Sequence, residues 1–309
     1  MESIVKTVGL SHRYAAAWAI KDINIDISKK GIYGLLGSNG AGKSTTMNII
    51  CGVLNQTEGE VYISGIDTRK HPIEAKQHIG FLPQQAPLYL DLTIREYLEY
   101  CAHLRRVEGP AVPAAVDSVM AKCGISHMQH RLLKNLSGGY RQRTALAQSI
   151  IHQPRLVILD EPTNGLDPVQ IADVRHLIRD IAAETTVILS SHILSEIQVL
   201  CQEILMIEQG QLVFADNMEA FSNYIAPQSL LVQFENAPPA DALGRIPGVN
   251  RVEKLTAKSF RLFFNGSVEA REAVVAESMR NKWRLTEMAI EKNSVDEIFK
   301  ELTRRVANN

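Results

Sequence analysis

The chain predicts an α/β fold: a largely parallel sheet with helices on both faces, followed by a smaller α+β unit at its C-terminal end. Short, wholly apolar runs at residues 31–36, 79–82, 156–159, 187–189 and 204–207 read as buried strands, with helical segments between them. The first run leads straight into a glycine-rich loop, the pattern of a buried strand before a phosphate site. Near Ala226-Pro227 the pattern changes to short strands and helices of a second unit.

Along the chain, Ile23, Ile25 and Ile27 alternate with polar residues, the period of a half-buried antiparallel strand. Residues 92–151 read as helical. Ile94, Tyr97, Leu98 and Cys101 fall on one helix face, and Pro110 and Pro113 interrupt the pattern. Beyond 226, strands are expected at 229–234, 249–255, 259–264 and 283–288, helices at 269–279 and 295–306, and a loop at 236–240. The domains expected are therefore 1–225, with a helical subdomain at about 85–151, and 226–309.

At 309 residues, 45 % hydrophobic and 22 % charged, the composition is that of an ordinary globular protein. A net charge of −1 argues against a general nucleic-acid binder. Cys51, Cys101, Cys123 and Cys201 show no metal-binding spacing and read as reduced core thiols. No stretch approaches the roughly 18 apolar residues of a membrane helix. The opening Met-Glu-Ser-Ile-Val-Lys lacks the features of a signal peptide. The expectation is a cytoplasmic protein that reaches a membrane only through partners.

Gly37, Ser38, Asn39, Gly40, Ala41, Gly42, Lys43 and Ser44 match G-x-x-x-x-G-K-[ST], with Thr45 next in line. Such a loop aims backbone N–H groups at phosphate oxygens, and the helix after it adds its positive end. Lys43 is placed to reach the β- and γ-phosphates of ATP, and Ser44 to ligate Mg²⁺. The apolar run at 156–159 ends in Asp160 and Glu161. Asp160 can hold Mg²⁺, directly or through water, and Glu161 can act as general base on the attacking water.

Leu136-Ser137-Gly138-Gly139-Tyr140, lying ahead of Asp160, resembles the signature motif of ATP-binding-cassette (ABC) proteins, with tyrosine where the family most often has glutamine. The resemblance implies a phosphate-loop NTPase cassette with a RecA-like parallel core, an antiparallel β-subdomain and an α-helical subdomain. It implies that Ser137, Gly138 and Gly139 contact the γ-phosphate held by a second subunit, Ser137 also standing as a helix N-cap. Further landmarks follow the family's order. Gln84, after Phe81-Leu-Pro83, matches the glutamine that senses Mg²⁺ and water and touches the membrane partner. Asp167, in Asn164-Gly165-Leu166-Asp167, matches the loop that crosses the dimer interface, and Asp167-Pro168 also reads as a helix cap. His192 matches the switch histidine, and Tyr14 the aromatic that stacks on adenine, with Trp18 a competing stacker.

Several stretches resemble the branch of ABC-2-type exporters and gliding-motility-associated ATPases: Pro87-Leu-Tyr89, Gly139-Tyr-Arg-Gln-Arg143, and Gly165-Leu-Asp-Pro-Val-Gln-Ile171. What this implies is a Mg²⁺-dependent ATPase subunit. It would work as a homodimer or heterodimer and drive transport, in the export direction, through an ABC-2-type integral membrane permease at the inner face of the cell membrane. The C-terminal unit carries no catalytic constellation and reads as regulatory or dimer-stabilising. Two other classes fit less well. ABC proteins that act on RNA or DNA carry paired cassettes or a coiled-coil insertion, and an inactive scaffold loses Lys43 or Glu161; both residues stand here.

Overall fold

A computed structural model of the chain describes residues 2–191, 193–224, 229–264, 268–291, 298, 299 and 302–304. Its residues form two compact units that divide after Met218, ahead of residue 226 where the composition changes.

The first unit runs β1 (Val5–Tyr14), β2 (Ala17–Ile27), β3 (Ile32–Leu36), α1 (Lys43–Ile50), β4 (Glu58–Ile63), β5 (Ile66–Asp67), α2 (Pro72–Gln77) and β6 (Ile79–Leu82). It continues with α3 (Ile94–Leu104), α4 (Val112–Lys122), α5 (Gly138–Ile150), β7 (Leu156–Asp160), α6 (Pro168–Glu184), β8 (Thr186–Ser190), α7 (Leu194–Leu200), β9 (Glu203–Glu208) and β10 (Gln211–Asn217). Six strands form the central sheet in the order β10-β9-β3-β8-β7-β6. All neighbours are parallel except β10, which returns antiparallel on β9. Every residue of β3, β7 and β8 is buried, the reason these strands read as unbroken apolar runs.

A second, antiparallel sheet, β2-β1-β4-β5, lies beside the first. Its Ile20, Ile23, Ile25 and Ile27 share one core with Ile158, Ile188 and Ile207 of the parallel sheet. Each such side chain contributes about 1.5–3 kcal/mol on full burial. In the helical part, Thr93 and Glu96 form a capping box at the start of α3, which buries Ile94, Tyr97, Leu98 and Cys101. Pro113 stands in the first turn of α4, so it opens a helix where the sequence pattern read as a break. The four cysteines are free and buried. Among the described residues no helix is long and apolar enough to cross a membrane.

The second unit follows with α8 (Met218–Ser222), which begins at the division, then β11 (Ser229–Phe234), α9 (Ala240–Gly244), β12 (Val249–Lys254), β13 (Ser259–Phe264), α10 (Val268–Arg280) and β14 (Leu285–Glu291). Its strands form an antiparallel sheet, β12-β13-β11-β14. Leu230, Val232, Phe234, Phe260, Leu262 and Phe264 alternate inward against Leu243, Ala270 and Val274. The last strand begins at Leu285 instead of Trp283, because Lys282 and Arg284 both adopt left-handed backbone conformations (φ 58° and 55°). Trp283 packs edge-on to Phe234 instead. The helix expected at 295–306 lies outside the described residues except for 298, 299 and 302–304.

Candidate functional site

Parallel strands deliver the loops at their C-terminal ends to one edge of the sheet, and the site forms there after β3, β6, β7 and β8. The loop after β3 is wedged between two neighbours. A Cβ at Gly37 would stand 2.1 Å from the Ile207 carbonyl oxygen. One at Gly42 (φ +110°) would stand 2.5 Å from Ile20 Cγ2 and 2.8 Å from the Ala19 carbonyl oxygen. Only glycine fits at either position. The Gly210 amide donates to the Ala41 carbonyl (2.9 Å), closing the loop against the turn between β9 and β10. Gly42 then caps α1, whose first amides have no partner within the helix.

Lys43, 8 % exposed, folds back onto its own loop, its Nζ donating to the Gly37 and Ser38 carbonyls at 2.9 Å each. Burial lowers its pKa below the ordinary lysine value, opposed by the nearby carboxylates of Glu161, Asp160 and Glu208. Glu208, buried at the end of β9, accepts from the Ser38 amide (3.1 Å) and hydroxyl (2.7 Å) and so holds the loop from behind. Ser44, Asn39 and Gly40 are exposed, Ala41 is buried and Thr45 half-buried.

Asp160 closes β7 beside Ser190, its register partner at the end of β8. The Ser190 hydroxyl donates to Asp160 Oδ1 (2.5 Å) and accepts from the Glu161 amide (3.0 Å). Glu161 itself has a left-handed backbone, φ 49°, unusual for a residue with a side chain. Its Oε2 accepts from Gln84 Nε2 (3.0 Å) and Asn164 Nδ2 (3.2 Å). The structure thus joins Gln84, Asp160 and Glu161, expected from separate parts of the chain, and Lys43 lies within their electrostatic reach.

The Ser137 to Gly139 segment opens α5. Ser137 occupies the N-cap position, but its side chain makes no capping bond, so the hydroxyl does not serve the helix as the cap reading expected. A Cβ at Gly139 would stand 2.8 Å from Gln170 Oε1, which sets α5 tightly on α6. Gln142 Nε2 donates to the Pro162 carbonyl (2.6 Å), tying α5 to the segment after Glu161. Asp167 Oδ1 accepts from the Val169 and Gln170 amides (3.0 Å each) and caps α6.

The family profile described as ABC transporter matches residues 20–164. The bacitracin transport ATP-binding protein BcrA of Bacillus licheniformis is 38 % identical over 69 % of this chain and 69 % of its own length. The chain belongs to the ABC transporter family. YhcH of Bacillus subtilis (strain 168), an ABC transporter ATP-binding protein, is 30 % identical over 98 % of this chain and 97 % of its own, so the similarity extends through the second unit. Among solved structures, a dimeric post-hydrolysis state of the ATP-binding cassette MJ0796 bound to ADP and Pi has the same cassette fold. Its TM-score is 0.63 at 24 % identity, covering 69 % of this chain and 98 % of that one.

Of two further residues expected in this ABC cassette, only Tyr14 is described. His192 lies outside the described residues. Tyr14, at the tip of the β1–β2 hairpin and 53 % exposed, meets His12 edge-on. Trp18 is also exposed and stacks under Arg13, on the strand whose Ala19 and Ile20 abut Gly42. Tyr140, the departure from the family's usual glutamine, sets its ring edge-on to His127 and its hydroxyl 3.1 Å from His127 Nε2.

A cleft of about 510 Å³ opens between α2 and α3, lined by Tyr89, Tyr97, Tyr100, Arg105, Arg106 and Gln148 among others. Lys76 joins the two arginines there, and among the described residues no carboxylate lines the cleft. Gln148 Nε2 donates to the Phe81 carbonyl (2.9 Å) in β6, three residues before Gln84. The supporting residues Ser190, Ser191, Glu196 and Glu208 were not singled out from sequence. Two consecutive serines ending an apolar strand are the one visible signal, and they read as part of the His192 segment.

Proposed function

We propose that this cassette hydrolyses Mg²⁺-ATP between two copies of itself, or between itself and a related chain, and thereby drives export by a separate ABC-2-type permease. The observation that carries this reading is the cluster of Gln84, Asp160 and Glu161 at the sheet edge shared with the Gly37–Ser44 loop. Hydroxyl, carboxylate and amide oxygens of Ser44, Asp160 and Gln84 are hard donors of the kind Mg²⁺ prefers. Among the described residues no group of three or more His, Cys, Asp or Glu could hold a metal alone, which fits an ion sharing its shell with phosphate and water. Bound there, the ion would neutralise charge on the β- and γ-phosphate oxygens.

The chain's own residues do the rest. The loop amides and Lys43 grip the triphosphate, Lys43 exchanging the Gly37 and Ser38 carbonyls for phosphate oxygens. Gln84 and Asn164 orient the Glu161 carboxylate. Glu161 takes a proton from water as the water oxygen bonds to the γ-phosphorus and the bond to the β-phosphate oxygen breaks, leaving ADP and phosphate. Ser137, Gly138, Gly139 and Asp167 of a second subunit close the site, as the dimeric, ADP- and Pi-bound neighbour supports. Tyr14 or Trp18 stacks on the adenine, and His192 completes the γ-phosphate shell.

The likeness to a bacitracin transport ATP-binding protein supports coupling to transport. The tyrosine-lined, cationic cleft fits an amphipathic permease segment that brings carboxylates to Arg106 and Lys76. The second unit serves regulation or dimer stability.

The deciding experiment is Glu161→Gln. General-base catalysis supplies about 10²–10⁴-fold, so turnover falls by that factor, ATP affinity is kept, and an ATP-bound dimer accumulates in size-exclusion chromatography. Normal hydrolysis by the variant excludes Glu161 as base. A monomer at saturating ATP excludes the sandwich.

A further inference from the structure

A buried carboxylate outside the reacting groups holds the two loops that frame them. Glu196, near the start of α7, is 2 % exposed. A carboxylate taken out of water costs several kcal/mol unless its oxygens are met by donors. Here one oxygen, Oε2, receives two hydroxyls: Thr163 Oγ1 at 2.7 Å and Ser191 Oγ at 2.9 Å. The other, Oε1, lies 3.4 Å from Arg175 Nη2. That contact is long, and Arg175 Nε is buried without a hydrogen-bond partner. The hydroxyls, not the arginine, make the close contacts.

Both hydroxyls are strategically placed. Thr163 lies between Glu161 and Asn164, the residue that donates to the Glu161 carboxylate. Ser191 follows Ser190, which bonds both Asp160 and the Glu161 amide. Side chains of successive residues in extended chain point to opposite sides. Ser190 therefore turns to the site while Ser191 turns away, to Glu196. One carboxylate oxygen thus clamps the loop after β7 to the end of β8.

We infer that Glu196 is a positioning residue: it holds the Glu161–Asn164 segment and the end of β8 in register, so that the base meets its water in line. The inference rests on Glu161 being that base. It touches neither the Gly37–Ser44 loop nor Lys43, so it governs turnover and leaves nucleotide affinity alone.

The geometry supplies its own control. Two hydroxyls donating to a single oxygen need an acceptor, not a charge. In Glu196→Gln the amide carbonyl can take the place of Oε2 and keep both bonds, while the amide NH₂ faces Arg175 and forfeits only the long contact. Steady-state ATPase and titration with a fluorescent ATP analogue are the readouts. For Glu196→Ala, kcat falls about 10- to 100-fold, as for other supporting-shell losses, with ATP affinity kept. Glu196→Gln recovers most of that loss.

A Glu196→Gln protein with wild-type affinity but the kcat of the alanine variant overturns the clamp, since charge would then be the requirement. So does Glu196→Ala with wild-type kcat. Should the alanine variant not fold, Thr163→Val and Ser191→Ala remove one hydroxyl each. Each lowers kcat at unchanged ATP affinity, and wild-type kcat in both refutes the proposal. The underlying reading is tested separately: if Glu161→Gln is inactive while Glu196→Ala is fully active, the clamp alone fails.

Discussion

Replacing Ser190 by alanine removes one oxygen atom from the centre of this cassette, and the structure sets the size of the effect. The hydroxyl is fully buried and does two things at once. It donates to the Asp160 carboxylate at 2.5 Å and accepts the Glu161 amide at 3.0 Å. A hydrogen bond to a charged group contributes about 1.5–3 kcal/mol, and a buried amide left without an acceptor costs about 1–3 kcal/mol. The freed amide belongs to a residue whose left-handed backbone already costs roughly 1–2 kcal/mol and survives because its neighbours hold it. Some relaxation will recover part of this, so a net loss of about 3 kcal/mol is expected. For a unit of this size each kcal/mol lowers Tm by about 2–4 °C, giving a drop of about 6–12 °C. Once Glu161 relaxes, a misplacement of about 1 Å costs on the order of 10²-fold in turnover. None of these bonds reaches Lys43 or its loop, so ATP affinity measured without Mg²⁺ stays. Differential scanning fluorimetry, phosphate release and titration with a fluorescent ATP analogue measure the three quantities. Unchanged melting with full turnover would refute the claim that Ser190 holds the base in place.

Two further predictions follow from charge. Lys43 has a lowered pKa from burial. Between that value and the ordinary lysine value of about 10.4, the folded state without nucleotide binds fewer protons than the unfolded one, so stability gains with rising pH. Lys43→Met cannot share this gain. The Tm difference, wild type minus variant, should therefore rise with pH across that interval in nucleotide-free buffer, and a constant difference contradicts the assignment. In the cleft, a photo-crosslinker at exposed Leu104 should capture the permease in membranes that contain both proteins. Arg106→Glu should weaken that capture while sparing the ATPase of the isolated cassette, and equal capture by the variant argues against a carboxylate-bearing partner.

How far the sequence could be read depends on whether a constraint is contiguous. Strands β3, β7 and β8 are buried on both faces, so each needs an unbroken apolar run and is visible as one. Edge strand β10 is largely exposed, needs no such run, and left no clear signature. The start of β14 was misplaced because Lys282 and Arg284 adopt positive φ, which glycine or asparagine would have advertised and these side chains do not. Pro113 read as an interruption because proline disrupts a helix interior, yet in the first turn its missing N–H costs nothing.

The same distinction separates the two halves of the site. The phosphate loop is one segment, and its glycines answer to sterics that any chain making this turn must satisfy, as the 2.1 Å approach at Gly37 shows. The groups that support Glu161 have no such locality. Gln84, Ser190 and Glu196 come from two strand ends and a helix, and a parallel sheet alone brings them to one edge. Nor does their chemistry stand out, since serine and glutamate are ordinary surface residues until burial turns each hydrogen bond into a requirement. Ser190 and Ser191 make the point sharply. They are identical in type and adjacent in sequence, yet strand alternation sends one to Asp160 and the other to Glu196. A motif therefore discloses which atoms touch the nucleotide, while the atoms that aim them become visible only once the sheet has set its register.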